Sequence, residues 1–334
     1  MKIVSISMVK NESDIIESFV RYTLNIVDQM IILDNYSTDE TPIIINKLIE
    51  EGLPIVLIND DDASYTQDIK TTKLLHKAVE EYEADIVCLL DVDEFIISNN
   101  EENPRKIIES INSSKYYLIK WCTYVPTADD SDDKFIPKRI TYLRDETLET
   151  FYKVIVPKEI VLKYDVNVSM GNHNLIINGK NNTKLREYNS NLNFAHFPLR
   201  SKEQCMSKIL IGWPNTIARN TENESWATHW ELLFNKIKKD NNITSDDLEF
   251  FSKNYALAST NYDISIKKQP INLNFCKDIE IKYETKYNYL NNVLENYISL
   301  ANEVVSLKRE INVLTGNVNI IKLIKIKISK LFLR

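Results

Sequence analysis

Glycine is scarce in this chain, with five residues in 334, and none of the five falls in the loop Val9-Lys10-Asn11-Glu12-Ser13 that follows the first apolar run. A glycine-rich, basic loop at that point is what cradles a triphosphate, so its absence counts against a nucleotidyltransferase. Cysteine is equally sparse. Cys88, Cys122, Cys205 and Cys276 are far apart and form no C-x-x-C pair, which excludes a cysteine-built zinc site from the first expectations. No apolar run approaches the roughly 18 residues of a spanning helix, and the N-terminus lacks a signal-peptide core, so the chain is expected to be cytoplasmic. Basic excess is missing too: a net charge of -7 with 27% charged residues describes an ordinary soluble surface, and no nucleic-acid partner is expected.

What is present is a 43% hydrophobic content in a regular rhythm over the first hundred residues. Ile3 to Met8, Met30 to Leu33, Pro54 to Ile58 and Ile86 to Leu90 read as strands. Between them, helical spacing marks residues 13 to 26, with Ile15, Ile16, Phe19, Val20 and Leu24 inward. A second helix runs from the cap at Ser37-Thr38-Asp39-Glu40 to Leu48, and a third from Gln67 to Glu81 with Ile69, Leu74, Leu75, Ala78 and Val79 inward. This is the α/β pattern of a sheet with helices on its faces. The wholly apolar Ile86 to Leu90 suits a central strand covered on both sides. Beyond residue 115 the pattern becomes irregular, with β-rich pieces at Tyr116 to Trp121, Thr150 to Val156 and Asn193 to Phe197, then helical from 201 to 260.

Asp91-Val92-Asp93-Glu94-Phe95 follows the fourth strand directly. Three acids at the carboxyl end of a central strand sit where open α/β sheets bind ligands. Their mutual repulsion calls for a cation, and oxygen ligands suit Mg²⁺ or Mn²⁺ shared with substrate phosphates.

Three stretches in order, Met8-Val9-Lys10-Asn11-Glu12, Asp34-Asn35-Tyr36-Ser37-Thr38-Asp39-Glu40-Thr41 and Leu90-Asp91-Val92-Asp93-Glu94-Phe95, resemble bacterial family 2 glycosyltransferases, in the branch with V-K-N-E and L-D-x-D-E-F motifs. The resemblance runs more loosely through Lys153 to Pro157, Gly171-Asn172-His173 and Ala195 to Ser201, covering roughly residues 1 to 215. It implies the GT-A fold, a Rossmann-like mixed sheet with flanking helices over residues 1–260. Residues 1–100 would form the nucleotide-binding half and 101–215 the acceptor half. It further implies a metal-dependent, inverting transfer of a hexose or N-acetylhexosamine from a nucleotide-diphosphate donor, UDP first, to a hydroxyl of a glycan, glycolipid or protein.

On that resemblance Asp34 accepts a hydrogen bond from the base, with Val9, Asn11, Glu12 and Asn35 around base and ribose. Asp91 and Asp93 hold metal and ribose-diphosphate, and His196 completes the metal shell. Lys10, Lys70 or Lys73 contacts phosphate, and Arg200 offers a fork to the diphosphate. Asp93 and Glu94 stand at the reacting centre. The base for the acceptor hydroxyl stays open among Asp145, Glu146, Asp165 and His173, since no E-D pair occurs at the family's usual distance. His76 and His229 read as structural.

A helical stripe runs through Tyr287, Leu290, Leu294, Tyr297, Ala301, Val304, Leu307, Ile311 and Leu314. It predicts a long amphipathic helix over 278–315, stopped near Gly316 and suited to homo-oligomer contacts. The tail at 317–334 carries cations and no acid. It reads as a peripheral anchor on the inner face of the plasma membrane, each cation adding about 1 kcal/mol, or equally as a helix packed on protein or a frayed end. Two other readings compete: the nucleotidyltransferase, and a non-catalytic scaffold that binds a nucleotide sugar at a membrane.

Overall fold

The computed structural model describes residues 1–60, 66–145, 151–218, 228–257, 264–276, 278–283, 285, 290–298, 300–302, 304–309, 311 and 313, the side chains at 215, 216, 218, 228 and 229 excepted. Residues Met1–Tyr289 form one compact unit and Leu290–Arg334 a second.

In the first unit the chain opens β1 (Ile3–Val9), α1 (Ile16–Thr23), β2 (Gln29–Asp34), α2 (Thr41–Glu50), β3 (Ile55–Asn59), α3 (Gln67–Glu80) and β4 (Ile86–Leu89). These strands lie parallel in the order β3-β2-β1-β4. Successive residues face opposite sides, so the strands read as unbroken apolar runs only because both faces are covered. Met30, Ile32, Ile86 and Cys88 join α1 and α2 in one core, while Ile31, Leu33, Val87 and Leu89 join α3 in the other. The sulfur of Cys88 is accordingly buried.

The second part of the unit continues with β5 (Glu94–Ser98), α4 (Pro104–Glu109), β6 (Tyr116–Val125), α5 (Ile136–Arg139), β7 (Tyr142–Arg144), β8 (Tyr152–Pro157), α6 (Lys158–Lys163), β9 (Val166–Val168), β10 (Leu175–Ile177), β11 (Lys180–Asn181) and β12 (Arg186–His196). It ends with α7 (Lys202–Ala218), α8 (Thr228–Asp240), α9 (Ser245–Lys253) and β13 (Ile266–Lys268). Antiparallel β8 docks on β4 and extends the sheet through β6, β7 and β13, while β12 lies between β5 and β6. The result is a mixed sheet flanked by helices, as the sequence pattern predicts. Strands β9, β10 and β11 form a separate small sheet over the α3 face.

Helices α7, α8 and α9 carry their own apolar core around Cys205, Ile209, Leu233, Ile237 and Phe251. The contact between α7 and α8 is close: a Cβ on Gly212 would lie 1.6 Å from the Trp230 ring.

Two sequence readings differ from the structure. Ile69 is not inward but 52% exposed, because α3 buries Gln67, Lys70, Thr71, Leu74 and Leu75, a face that admits a paired lysine. Residues 278–283, read as the start of the long helix, are not helical. The backbone N–H groups of Lys282 and Tyr283 donate to the Glu17 carboxylate at 3.0 and 2.8 Å, and Ile279, Ile281 and Tyr283 pack on the core at a spacing of two. In the second unit the described residues from Leu290 to Val313 are helical, with Leu290, Leu294, Tyr297, Leu307 and Ile311 exposed. Tyr287, Leu314, Gly316 and the whole basic tail lie outside the described residues, as do Glu146 and Thr150. Among the described residues no helix is long and apolar enough to cross a membrane.

Candidate active site

The chain leaves β3 and crosses back over β1 to form β4, so a crevice opens where the carboxyl ends of β1 and β4 diverge. A cleft of about 350 Å³ occupies it, walled by Val9, Lys10, Asn11 and Glu12 after β1, Asn35 after β2, and Asp91, Val92 and Asp93 after β4. Trp121 and His196 close the sheet side. Gln204, Ser207, Lys208, Ile211 and Gly212 close the other, at the three- and four-residue steps of one face of α7.

The loops after β1 and β2 are stitched together. Asn11 adopts a left-handed φ of 57°, as does Tyr36 at 60°, the first a residue that tolerates this region and the second one that does not. The Asn11 carboxamide oxygen accepts from Thr38 N at 2.7 Å, Glu12 N donates to Thr41 Oγ1 at 2.9 Å, and Asn35 N donates to Val9 O at 2.8 Å. Asp34 Oδ2 accepts from Ser37 N at 3.2 Å, whereas Oδ1 is buried with no partner. Burial raises the Asp34 pKa. Asn35 gives its oxygen to Lys70 at 2.7 Å, and its amide nitrogen is likewise buried without a partner. A buried acceptor and a buried donor left unpaired are costly unless a ligand meets them.

The acid trio is held by a tight turn. Glu94 N donates to Asp91 O at 3.0 Å, and Asp91 N donates to the Glu94 carboxylate at 3.0 Å. Lys153, on β8 and 1% exposed, pairs with Asp91 and lies 3.0 Å from Glu94 Oε1, which also accepts from Trp121 Nε1 at 2.7 Å. Asn172 and Gln67 donate to the other Asp91 oxygen at 3.1 and 3.2 Å. Asp93 faces different cations: Lys208 Nζ at 3.1 Å and Arg200 at 4.0 Å, with His196 Nε2 at 3.7 Å. Burial pushes the Asp93 pKa up, but Lys208 and Arg200 outweigh it and hold the carboxyl well below the usual range. Burial drives His196 down to about 3, so the ring is neutral. It stacks on Trp121 at 4.0 Å between centroids.

The expectation that the acids require a bound ion is therefore corrected in part, because lysines from β8 and α7 supply positive charge. The supply falls short. Glu12, Asp14, Asp91, Asp93 and Glu94 are five carboxylates whose described ion pairs run to three cations, Lys153, Arg200 and Lys208, with Arg139 adding its field at Asp14. The shortfall is visible in Glu12, raised by burial to about 7 against the pull of Arg200. Burial likewise raises Glu94 to about 8 against Lys153, with Asp91 and Asp93 adding to the rise. A divalent ion bound here would add positive charge to the network. Asp93 Oδ2 and a neutral imidazole 3.7 Å away offer mixed oxygen and nitrogen ligands at a spacing that bonds of about 2.1 Å can bridge. Among the described residues no group of three ligating side chains forms a closed cage, so the remaining positions would fall to water or substrate phosphate.

The other residues singled out in the sequence divide clearly. Val9, Lys10, Asn11, Glu12, Asn35, Asp91, Asp93 and His196 line the cleft. Arg200 does not offer its fork to a ligand. It is fully buried, with Nε and one terminal nitrogen on Asp14 at 2.8 and 2.9 Å, that nitrogen also on Glu12 at 2.5 Å, and the other on Phe197 O at 3.0 Å. Lys70 is tied to Asp60 and Asn35 at 2.7 Å each, and Lys73 is exposed outside the cleft walls. The base candidates do not converge: Asp145 lines a separate cavity of about 340 Å³ with Lys120 and Arg144, and Asp165 is exposed. His173 sits behind Trp121 with Nδ1 2.8 Å from Tyr152 O, its pKa lowered by burial. His76 is structural, its Nε2 3.0 Å from Val166 O. Sequence reasoning missed Lys153, Lys208 and Trp121. The four-residue steps from Arg200 to Gln204 to Lys208 were the available signal for the second.

No family model matches the chain, and no curated protein sequence does. Solved structures similar to it include S. aureus TarS in complex with UDP, at 15% identity and TM-score 0.38, covering 67% of each chain. The mannosyltransferase PcManGT from Pyrobaculum calidifontis with GDP-Man and Mn²⁺ shares 14% identity at TM-score 0.30, over 48% of this chain and 46% of that one. Glucosyl-3-phosphoglycerate synthase from Mycobacterium tuberculosis with Mn²⁺, UDP and glucosyl-3-phosphoglycerate shares 20% at TM-score 0.24, over 36% and 44%.

Proposed function

We propose that this protein is a metal-dependent glycosyltransferase that moves a sugar from a nucleoside-diphosphate donor, UDP first among them, to a hydroxyl acceptor with inversion. The observation that carries the reading is the cleft itself. One wall presents Asp93 beside a neutral His196 in a network with more carboxylates than cations, and the end of β2 and the residue after it present unpaired Asp34 and Asn35 atoms. A base edge with donor and acceptor groups, followed by a diphosphate and its cation, matches that order of chemistry.

Asp93 and His196 would hold Mn²⁺ or Mg²⁺, which when bound supplies Lewis-acid stabilisation of the charge that builds on the departing diphosphate. The chain's own groups do the rest. Asp34 and Asn35 select the base, Asn11 fixes the loop against which it rests, and Trp121 shields the acids from water while holding Glu94. Asp91, anchored by Lys153 and Asn172, keeps the turn that aims Asp93.

Purified protein incubated with Mn²⁺ and a panel of nucleotide sugars is expected to release the nucleoside diphosphate slowly from one of them, and Asp93→Ala to abolish release while the circular dichroism spectrum is retained. Full activity in a folded Asp93→Ala variant would overturn the assignment.

A further inference from the structure

The reading above leaves the donor's diphosphate without a cation from the protein, because the residue expected to bind it, Arg200, is locked by Glu12 and Asp14. Lys153 is sealed at 1% exposure between Asp91 and Glu94, and Lys70 is committed to Asp60. Lys10 and Lys208 are the lysines on the described walls of the cleft. Lys208 pairs with Asp93, the metal-ligand candidate, and also meets Pro198 O at 3.0 Å and Tyr255, whose ring centroid lies 5.4 Å away.

We propose that Lys208 is an exchangeable cation, resting on Asp93 when no divalent ion is bound and passing to the donor's diphosphate when the ion takes that carboxylate. This inference rests on the glycosyltransferase reading and deepens it by assigning the protein's own diphosphate contact. Three features support it. The Lys208 side chain is 20% exposed at the rim of the cleft, against 1% for Lys153, so it has room to move. Its stem lies on the α7 face whose other members, Gln204, Ser207, Ile211 and Gly212, line the same cleft. Asp93 keeps Arg200 at 4.0 Å after Lys208 departs, so the carboxylate is not stranded. A lysine is a compact point charge on a flexible stem, suited to trading one anion for another where the planar Arg200 is not.

The account predicts effects of opposite sign on two ligands. In Lys208→Met, Mn²⁺ alone, followed by electron paramagnetic resonance, binds about tenfold more tightly than in wild type, because its competitor for Asp93 is gone. UDP in the presence of saturating Mn²⁺ binds about tenfold more weakly, because the diphosphate has lost its ammonium. Lys208→Gln, which keeps a hydrogen-bond donor without the charge, moves both affinities the same way, and Lys208→Arg restores UDP binding at least in part. A lysine that only holds the fold would weaken both ligands together, and that result, or unchanged Mn²⁺ affinity, overturns the proposal while leaving the functional reading intact. Wild-type protein that binds neither UDP nor Mn²⁺ overturns that reading and this one with it.

Discussion

Asp91 and Asp93 stand two residues apart on one turn, yet the walls around them are built differently. Behind Asp91, β8 contributes Lys153, buried to 1% exposure and shared with Glu94, whose Oε1 also accepts from Trp121 Nε1 and whose Oε2 accepts from Asp91 N. Beside Asp93 the charge arrives from a helix: Lys208 on α7 remains 20% exposed, and the third neighbour, His196, is neutral. The first wall pairs Asp91, itself 28% exposed, with a sealed lysine, and the second pairs Asp93, 9% exposed, with a lysine that reaches the cleft. Identical acids in one motif thus acquire distinct surroundings from the elements packed against them.

The largest expected effect separates the two walls by activity. Asp93→Ala should lower nucleotide-sugar turnover by at least about 10²- to 10³-fold with little loss of fold, measured by nucleoside diphosphate release. Lys153→Met should reverse the balance. Leaving Asp91 and Glu94 buried without their cation costs about 3–5 kcal/mol in urea denaturation, and a variant as stable as wild type would show that this wall is not structural. Between these, Asp34→Ala should weaken UDP about tenfold to a hundredfold while sparing inorganic pyrophosphate, since only the base is lost.

A smaller effect concerns pH. Glu12 in the folded protein titrates near 7, above its ordinary value of 4.5, so the native state binds the proton more tightly. Its stabilising contribution is complete below about 4.5 and is lost as pH rises through 7, with Glu94 extending the loss toward 8. Metal-free protein should therefore melt at lower temperature at pH 8.5 than at pH 5.5, by on the order of 1 kcal/mol in stability, and Mn²⁺ should raise the melting temperature more at the higher pH. A melting temperature that rises over that interval would contradict the charge count. Least of all, Lys73→Ala should leave UDP affinity within about twofold, because its exposed side chain lies off the cleft walls.

Much of the first wall's setting was legible in sequence. The strands β1, β2 and β4 announce themselves as apolar runs because helices cover both faces, and an acid cluster just past such a run can only emerge at the sheet's ligand-binding edge. The pairings were not legible. Lys153 is 62 residues from Asp91 and Lys208 is 115 from Asp93, so nothing local marks either lysine as a partner. Arg200 was misjudged for the same reason, since its acids lie 186 and 188 residues away. The segment at 278–283 lies ahead of the helical stripe that begins at Tyr287; its own Ile279, Ile281 and Tyr283 alternate, and Glu17 accepting two backbone N–H groups decides for the extended form.

The central claim is that the crevice past β1 and β4 receives a nucleoside diphosphate together with a divalent ion on Asp93 and His196. A crystal grown with UDP and Mn²⁺ and measured at the manganese absorption edge tests it directly. The anomalous peak is expected between Asp93 Oδ2 and His196 Nε2 with the uracil against Asp34; a peak elsewhere, or UDP bound outside this cleft, would contradict the account.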